Sequence, residues 1–123
     1  MTQPGFTSDD FQTRTTVSRE TVDKLNVYAD LLLKWQSSIN LIGPGTVQEI
    51  WHRHFYDSAQ LFPHLICDGS VIDMGSGAGF PGLVLAAMGR RNVTLIEANG
   101  KKCTFLRDVS RRLSLDVTIC QAR

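Results

Sequence analysis

A glycine-rich turn near the middle of the chain constrains the fold more than any other sequence feature. It follows an apolar run at residues 70–72 and precedes another at 83–88, and it reads Asp73-Met-Gly75-Ser-Gly77-Ala-Gly79-Phe80-Pro81-Gly82. Glycines allow a tight turn and let a ligand approach the backbone, and the helix that follows offers free N–H groups at its start. The sequence therefore predicts a strand, a loop and a helix that bind a nucleoside-bearing cofactor.

The spacing of the glycines distinguishes between cofactors. A dinucleotide-binding loop follows G-x-G-x-x-G/A, whereas Phe80 stands at the last position here and the third glycine, Gly79, comes one residue earlier. Asp73 lies two residues before the first glycine, so the pattern D-x-G-x-G-x-G resembles motif I of the class I S-adenosylmethionine methyltransferases. That resemblance implies that Asp73 holds the ammonium of S-adenosyl-L-methionine, directly or through water. An ordinary glycine-rich turn is the competing interpretation.

A carboxylate ends the second predicted strand. Residues 92–96 form an apolar run, and Glu97 follows it, 22 residues after Gly75. An acid about 20 residues past a glycine loop can accept hydrogen bonds from ribose hydroxyls. Because NAD sites and S-adenosylmethionine sites both use this device, Glu97 indicates a ribose without identifying the cofactor. A surface acid at a strand end is the alternative.

The length and composition predict one globular domain. Of the 123 residues, 42% are hydrophobic and 20% are charged, and a chain of this size can bury a core. The chain begins without a signal-peptide pattern, and no apolar segment approaches the roughly 18 residues that a membrane span needs. The three cysteines, Cys67, Cys103 and Cys120, lack C-x-x-C spacing and predict reduced thiols. We therefore expect a cytoplasmic protein without membrane contact.

Charge is unevenly distributed along the chain. The net charge is +1, but residues 1–88 hold five basic and nine acidic side chains, whereas residues 89–123 hold eight basic and three acidic ones. A basic surface suits a polyanionic partner such as RNA. A solvated helix face explains the same charges equally well, so charge alone does not decide between the two interpretations.

The N-terminal half is predicted to be mostly helical. We expect residues 1–15 to be flexible and residues 16–66 to form a helical region. Ser18 is a suitable N-cap for an amphipathic helix that extends to about Gln36. The apolar face of this helix is predicted to comprise Val22, Leu25, Ala29, Leu32 and Trp35 or Gln36.

A second helix is predicted from a capping pattern. Thr46 and Glu49 match a capping box, in which the hydroxyl and the carboxylate satisfy each other's backbone N–H groups. This pattern predicts a loop over 37–45 and a helix over 47–55. A short helix is expected to follow at 57–61.

Residues 67–123 are predicted to form the first half of a Rossmann-like domain. Strands and helices alternate, beginning with a strand, over 70–74, 81–89, 92–97, 100–113 and 116–120. This alternation indicates an α/β fold with a parallel sheet and right-handed crossovers. In the helix predicted over 100–113, the side chains expected to face the sheet are Cys103, Phe105, Leu106, Val109 and Leu113. Because three parallel strands are half of a doubly wound sheet, we expect the chain to be truncated after its third strand.

The glycine loop and its flanking residues resemble one family, ribosomal RNA small-subunit methyltransferase G, also called glucose-inhibited division protein B. The matching residues are Lys34-Trp35, Asn40-Leu41-Ile42, Arg53-His54-Phe55-x-Asp57-Ser58, the loop 73–82, Glu97, Lys101-Lys102-x-x-Phe105-Leu106 and Gln121-Ala-Arg123. The glycine loop alone is typical of many methyltransferases, whereas R-H-F-x-D-S and G-F-P-G are much more specific. The resemblance implies a class I S-adenosylmethionine methyltransferase fold with N-terminal helices.

The resemblance also implies an activity and a set of site residues. The enzyme would be a bacterial, cytoplasmic monomer that methylates N7 of a guanine in 16S rRNA, free or in the small ribosomal subunit. The residues implied to bind the cofactor are Asp73, Gly75, Ser76, Gly77, Gly79, Phe80 and Glu97. Lys101, Lys102 and Arg123 are implied to lie near the RNA or the active centre. The family pattern continues past Arg123 with residues beside the adenine and a basic active-site residue, which this chain does not include.

The expected chemistry requires neither a catalytic base nor a metal. Guanine N7 carries an unprotonated lone pair and a sulfonium methyl is already electrophilic, so correct placement of the reactants is sufficient. His52 and His54 have the spacing of two metal ligands, but no third ligand follows at a suitable distance. His54 and Asp57 lie one helical turn apart and are expected either to support the cofactor pocket or to form a structural pair.

Two other functions remain open at this stage. A nicotinamide-dependent oxidoreductase would share the loop and Glu97, but it predicts alanine or glycine where Phe80 stands. A non-catalytic fragment would keep the fold and lack the activity. Cofactor binding distinguishes all three hypotheses.

Overall fold

The computed structural model describes residues 5–65 and 69–123 and contains a three-stranded parallel sheet packed against helices. Its α-helices and strands are, in chain order, α1 (Ser8–Thr15), α2 (Arg19–Gln36), α3 (Asp57–Ala59), β1 (Val71–Met74), α4 (Gly82–Ala87), β2 (Val93–Glu97), α5 (Gly100–Arg112) and β3 (Val117–Gln121). Cys67 and the expected boundary between the helical region and the sheet domain lie outside the described residues.

The sheet has the order β1-β2-β3, with all strands parallel. Val71 pairs with Val93, and Val93 pairs with Val117, so the carboxyl ends of the three strands meet at one edge. Helices α4 and α5 connect successive strands. The predicted α/β fold with a Rossmann-like parallel sheet is confirmed.

Helix α5 shows why local spacing predicted these elements well. The Asn99 side chain caps it by accepting a hydrogen bond from the Lys102 N–H at 3.0 Å. The five residues predicted to face the sheet are all buried: Cys103, Phe105, Leu106, Val109 and Leu113. The apolar face of α5 therefore anchors β2 and β3, while its arginines remain at the surface.

The two faces of β1 differ sharply in exposure. Asp73 is buried at 9% exposure, whereas its neighbours Ile72 and Met74 are 61% and 73% exposed. Because successive side chains of a strand point to opposite faces, the helices described here cover one face of β1 and leave Ile72 and Met74 on the other.

The beginning of the chain differs from the expectation of flexibility. Residues 8–15 form α1, whose N-cap Thr7 makes a complete capping box with Asp10. Phe11 is fully buried, and its ring contacts Trp51 at 5.5 Å between centroids. A long-range ring contact therefore fixes a segment that polarity alone predicted to be mobile.

Helix α2 begins after Ser18, as predicted, and the Ser18 hydroxyl accepts a hydrogen bond from the Thr21 N–H. The predicted apolar residues Val22, Leu25, Ala29 and Leu32 are buried, and so are Tyr28 and Leu31. Helix α2 packs on α4 and α5, so the N-terminal helices and the sheet share one core.

The capping box predicted at Thr46 is wrong. A 3₁₀-helix spans Pro44–Glu49 and a π-helix spans Ile50–Tyr56, in place of the α-helix expected over 47–55. The Thr46 hydroxyl donates to the Gly43 carbonyl at 2.7 Å, while the Glu49 carboxylate forms an ion pair with Arg53 at 3.0 Å. Both side chains are thus engaged elsewhere, and no reciprocal capping bond remains. A final 3₁₀-helix spans Phe62–His64.

Candidate functional site

The glycine loop lies at the carboxyl edge of the sheet, between the ends of β1 and β2. The N–H groups of Gly75 and Ser76 donate to the Ile96 carbonyl at 2.8 and 3.2 Å, and the Gly79 N–H donates to the Ser76 carbonyl at 2.7 Å. The Ser76 hydroxyl donates to the Asp73 carbonyl at 2.9 Å. These bonds hold the loop against the second strand, which is where α/β sheets bind ligands.

The four glycines of the loop face two different environments. A Cβ on Gly75 would have no heavy atom within 4 Å, and one on Gly77 would meet only the Gly75 carbonyl oxygen at 3.9 Å. A Cβ on Gly79 would lie 2.5 Å from the Tyr28 hydroxyl, and one on Gly82 would collide with Leu95. The first two glycines therefore leave open space for a ligand, and the last two allow close packing inside the protein.

Glu97 links the second strand to the loop. Its Oε1 accepts a hydrogen bond from the Gly77 N–H at 2.7 Å, and its Oε2 accepts one from the Asn99 N–H at 2.8 Å. Burial alone would raise the pKa of this carboxyl, but the N–H groups of Asn99 and Gly77 and the charge of Lys102 outweigh it and lower the pKa. Glu97 is thus a buried carboxylate that stays ionised, and the backbone N–H of Ala98 adds to the groups that stabilise its charge.

Asp73 fixes the other end of the loop. Its Oδ2 accepts a hydrogen bond from the Gly82 N–H at 3.0 Å, at the start of α4. Burial raises the pKa of Asp73, and the bond from the Gly82 N–H opposes that shift. The Ser76 side chain, whose hydroxyl also donates to the Asp73 carbonyl, opposes the shift as well.

Phe80 packs between rings from the N-terminal helical region. Its ring stacks with His54 at 4.8 Å and an interplanar angle of 10°, and with Tyr28 at 5.6 Å and 18°. Tyr28 also donates a hydrogen bond from its hydroxyl to the Ala78 carbonyl at 2.5 Å. Sequence spacing assigns no function to Tyr28. Its position, three residues after Leu25, nevertheless lies on the buried face of α2.

His54 is held by the 3₁₀-helix that precedes it. Its Nε2 lies 2.8 Å from the Thr46 hydroxyl oxygen. Because that hydroxyl donates its one hydrogen to Gly43, Nε2 must carry the proton shared with Thr46. Burial lowers the pKa of His54, while Asp57 raises it and Arg53 lowers it further. The face of the His54 ring stacks on Phe80.

Asp57 lies at the surface, away from the loop itself. Together with Thr46, Glu49, Arg53 and His54, it lines an open cavity of about 460 Å³. The structure thus brings His54 into ring contact with the glycine loop, but it places Asp57 only beside His54.

The three basic residues predicted near the substrate lie at the same edge of the sheet as Glu97. Lys101 and Lys102 are in the first turn of α5, and the charge of Lys102 contributes to the low pKa of Glu97. Arg123 is exposed and follows Ala122, whose N–H donates to the Glu97 carbonyl at 3.1 Å. The start of α5 and the end of β3 therefore place these cations at the carboxyl edge of the sheet, where the glycine loop also lies.

A second cavity lies on the far side of the sheet from the glycine loop. It has a volume of about 680 Å³, includes Lys24, Arg90, Arg91 and Asp116, and lies at the amino edge of the sheet.

Over residues 5–65 and 69–123, His, Cys, Asp and Glu side chains form no group of three that could hold a metal ion. No helix in this part of the chain has the length and apolar character of a membrane span.

Comparison with known proteins gives a consistent family. Residues 21–123 match the family profile described as rRNA small subunit methyltransferase G. The chain is 53% identical over 117 residues to the ribosomal RNA small subunit methyltransferase G of Paramagnetospirillum magneticum, covering 94% of this chain and 57% of that relative. It is 50% identical over 118 residues to the protein of the same name from Rhodospirillum centenum, covering 94% and 54%. The chain therefore spans about half the length of the relatives it matches.

Proposed function

Because this chain belongs to the rRNA small subunit methyltransferase G family, we propose that it carries the cofactor half of an enzyme that methylates N7 of a guanine in 16S rRNA. S-adenosyl-L-methionine is the proposed methyl donor. The observation that carries this proposal is the family match over residues 21–123, which includes the open glycine loop and Glu97.

The loop fits a nucleoside sulfonium by its shape and by the hydrogen-bond acceptors beside it. Gly75 and Gly77 have φ values of +72° and +53° and leave free space above the backbone. The ionised carboxylate of Glu97 is suited to accept hydrogen bonds from two ribose hydroxyls. The Asp73 carboxylate, near the end of β1, is suited to accept a hydrogen bond from an ammonium. A phosphate, by contrast, would meet two carboxylates at this edge.

The proposed role of this chain in the reaction is to place its ligands. S-adenosyl-L-methionine supplies an electrophilic methyl group when it is bound. Glu97 would hold its ribose and Asp73 its ammonium, and Phe80 would support the loop between these two side chains. Guanine N7 needs no deprotonation before it attacks, so alignment of nitrogen, carbon and sulfur is the main requirement. None of these side chains needs to move a proton.

The basic residues would contact the RNA. Lys101, Lys102 and Arg123 lie close to the cofactor edge, and the outer face of α5 adds exposed Arg107 and Arg112. Cations of this kind neutralise phosphates and release bound counterions, which makes RNA affinity depend on salt. His54 is proposed to support the cofactor pocket through Phe80, and Asp57 through its charge near His54.

Titration calorimetry on the complete protein tests the cofactor. We expect S-adenosylhomocysteine to bind and NAD to give no heat. Binding of NAD alone would favour an oxidoreductase, and binding of neither would favour a non-catalytic role. For calorimetry on a variant that fills the loop, such as Gly77→Val, Gly45→Ala is the matched control, because a Cβ at Gly45 meets no atom within 4 Å and the residue lies outside the loop.

A methylation assay tests the substrate. The complete protein is incubated with small ribosomal subunits, or with their rRNA, and S-adenosylmethionine that carries a labelled methyl group. We expect the label in the rRNA of the small subunit, at a guanine that becomes sensitive to cleavage specific for N7-methylguanosine. Label on another atom or in another RNA would refute the assignment of N7 or of 16S rRNA while leaving the family unaffected.

A further inference from the structure

We propose that Tyr28 is a positioning residue whose hydroxyl group fixes the backbone of the glycine loop from the side of the N-terminal helices. Tyr28 lies on α2, 50 residues before the carbonyl that it contacts. The inference deepens the proposed function, since it assigns part of the cofactor site to the N-terminal helical region.

Among residues 5–65 and 69–123, the Tyr28 hydroxyl has one hydrogen-bond acceptor, and it does not reach solvent. The side chain is fully buried, and its hydroxyl donates to the Ala78 carbonyl, which belongs to a residue that is only 5% exposed. Burial, reinforced by the Asp73 carboxylate, raises the pKa of Tyr28 well above its ordinary value of 10.0. The phenol therefore remains a hydrogen-bond donor at all physiological pH values.

Three successive loop residues are held by different groups. The Gly77 N–H donates to Glu97, the Ala78 carbonyl accepts from Tyr28, and the Gly79 N–H donates to the Ser76 carbonyl. Glu97 pulls the loop toward β2, and Tyr28 ties it to the helical layer. Without the Tyr28 hydroxyl, the Ala78 carbonyl would be buried without a partner, and a peptide rotation that exposes it would be favoured.

The packing around Gly79 gives independent support. A Cβ at Gly79 would lie 2.5 Å from the Tyr28 hydroxyl and 2.6 Å from Leu83 Cδ1. The Tyr28 ring also stacks with Phe80, the next residue along the loop. The loop and Tyr28 are therefore mutually fitted, with the glycine making room for the hydroxyl.

Tyr28→Phe removes one oxygen atom and keeps the ring stack. A buried carbonyl that loses its donor destabilises the loop conformation, and we expect about tenfold faster hydrogen exchange at the Gly77 and Gly79 amides. Exchange at Leu106 and Val109 in α5 should change by less than about twofold, because the variant keeps the aromatic ring that packs on α5 at Phe105. The affinity for S-adenosylhomocysteine should fall about tenfold, since the loop must be reordered on binding.

Tyr56→Phe is the matched control. Tyr56 is the other tyrosine of the chain, and its ring stacks with His52, but its hydroxyl makes no hydrogen bond within the described part of the chain. Neither loop exchange nor affinity should change in this variant.

The two measurements separate failure of this inference from failure of the proposed function. Uniformly faster exchange in the loop and in α5, unchanged loop exchange, or faster loop exchange with unchanged affinity would each overturn the role given to Tyr28. If the wild-type protein binds no S-adenosylhomocysteine, the proposed function fails, and loop exchange alone then decides whether Tyr28 fixes the loop.

Discussion

Replacing Glu97 by glutamine tests whether this carboxylate holds the glycine loop to the sheet. In the native protein its two oxygens accept N–H groups from Gly77 and Asn99 at 2.7 and 2.8 Å. Glutamine has the same shape but only one acceptor oxygen, so its NH₂ group would face one of these donors. One hydrogen bond is therefore lost, and the other no longer involves a charge.

The structure allows an estimate of the cost. A hydrogen bond to a charged group contributes about 1.5–3 kcal/mol and one between neutral groups about 0.5–1.5 kcal/mol. Replacing two charged bonds by one neutral bond should lower the free energy of unfolding by about 2–4 kcal/mol at pH 7. Glu49→Gln is the matched control, because its ion pair with Arg53 is exposed and should contribute about 0.5 kcal/mol.

The stability difference between the native protein and Glu97→Gln should depend on pH, in a direction set by the pKa of Glu97. The pKa of Glu97 is lower in the folded protein than its ordinary value of 4.5, so its contribution is fully present above that pH. It is lost as the pH falls through the lowered folded pKa, where the native carboxyl becomes neutral like glutamine. The stability difference between native protein and Glu97→Gln should therefore shrink below pH 4.5.

Urea denaturation of the native protein and both variants, from pH 7 to pH 3, measures these differences. A Glu97→Gln loss no larger than that of Glu49→Gln would show that the carboxylate does not hold the loop. A large loss that stays constant down to pH 3 would show that the negative charge is not the cause.

Three further changes test other contacts. Gly82→Ala should lower the free energy of unfolding by about 1–3 kcal/mol in urea, because its Cβ collides with Leu95, whereas Gly45→Ala should leave it unchanged; equal values would contradict the packing. Phe11→Ala should lower the free energy of unfolding by about 3–5 kcal/mol and make α1 sensitive to protease. If α1 in this variant resists protease as in the native protein, Phe11 is not needed to hold it. Gly77→Val should abolish S-adenosylhomocysteine binding in calorimetry, because it fills the open side of a residue at φ +53°; retained affinity would mean that the ligand lies elsewhere.

The elements of the sheet domain were predictable because their signals are local. A buried strand, a glycine turn and a helix with an apolar stripe each depend on residues close together in the chain. The stripe of α5 and the parallel direction of the strands followed directly, whereas the order β1-β2-β3 came from the structure. The position of Glu97 opposite the glycine loop also followed, because parallel strands end at the same edge of a sheet.

Local patterns failed where two segments carried the same signal. Thr7 with Asp10 and Thr46 with Glu49 both have capping-box spacing, but only the first pair makes one. Thr46 instead contacts His54, and Glu49 binds Arg53. These competing partners are close in the chain, and the capping-box spacing alone does not show which of them a hydroxyl or carboxylate takes.

The sequence by itself determined the kinds of elements, their order and the place where a ligand could approach the backbone, because these depend on periodicity and on the conformational freedom of glycine. Only the tertiary structure decided what holds that place in shape. Tyr28 reaches the loop across 50 residues of sequence, and His54 contacts Phe80 from within a π-helix. Such contacts arise when separate layers pack, so no short stretch of sequence specifies them.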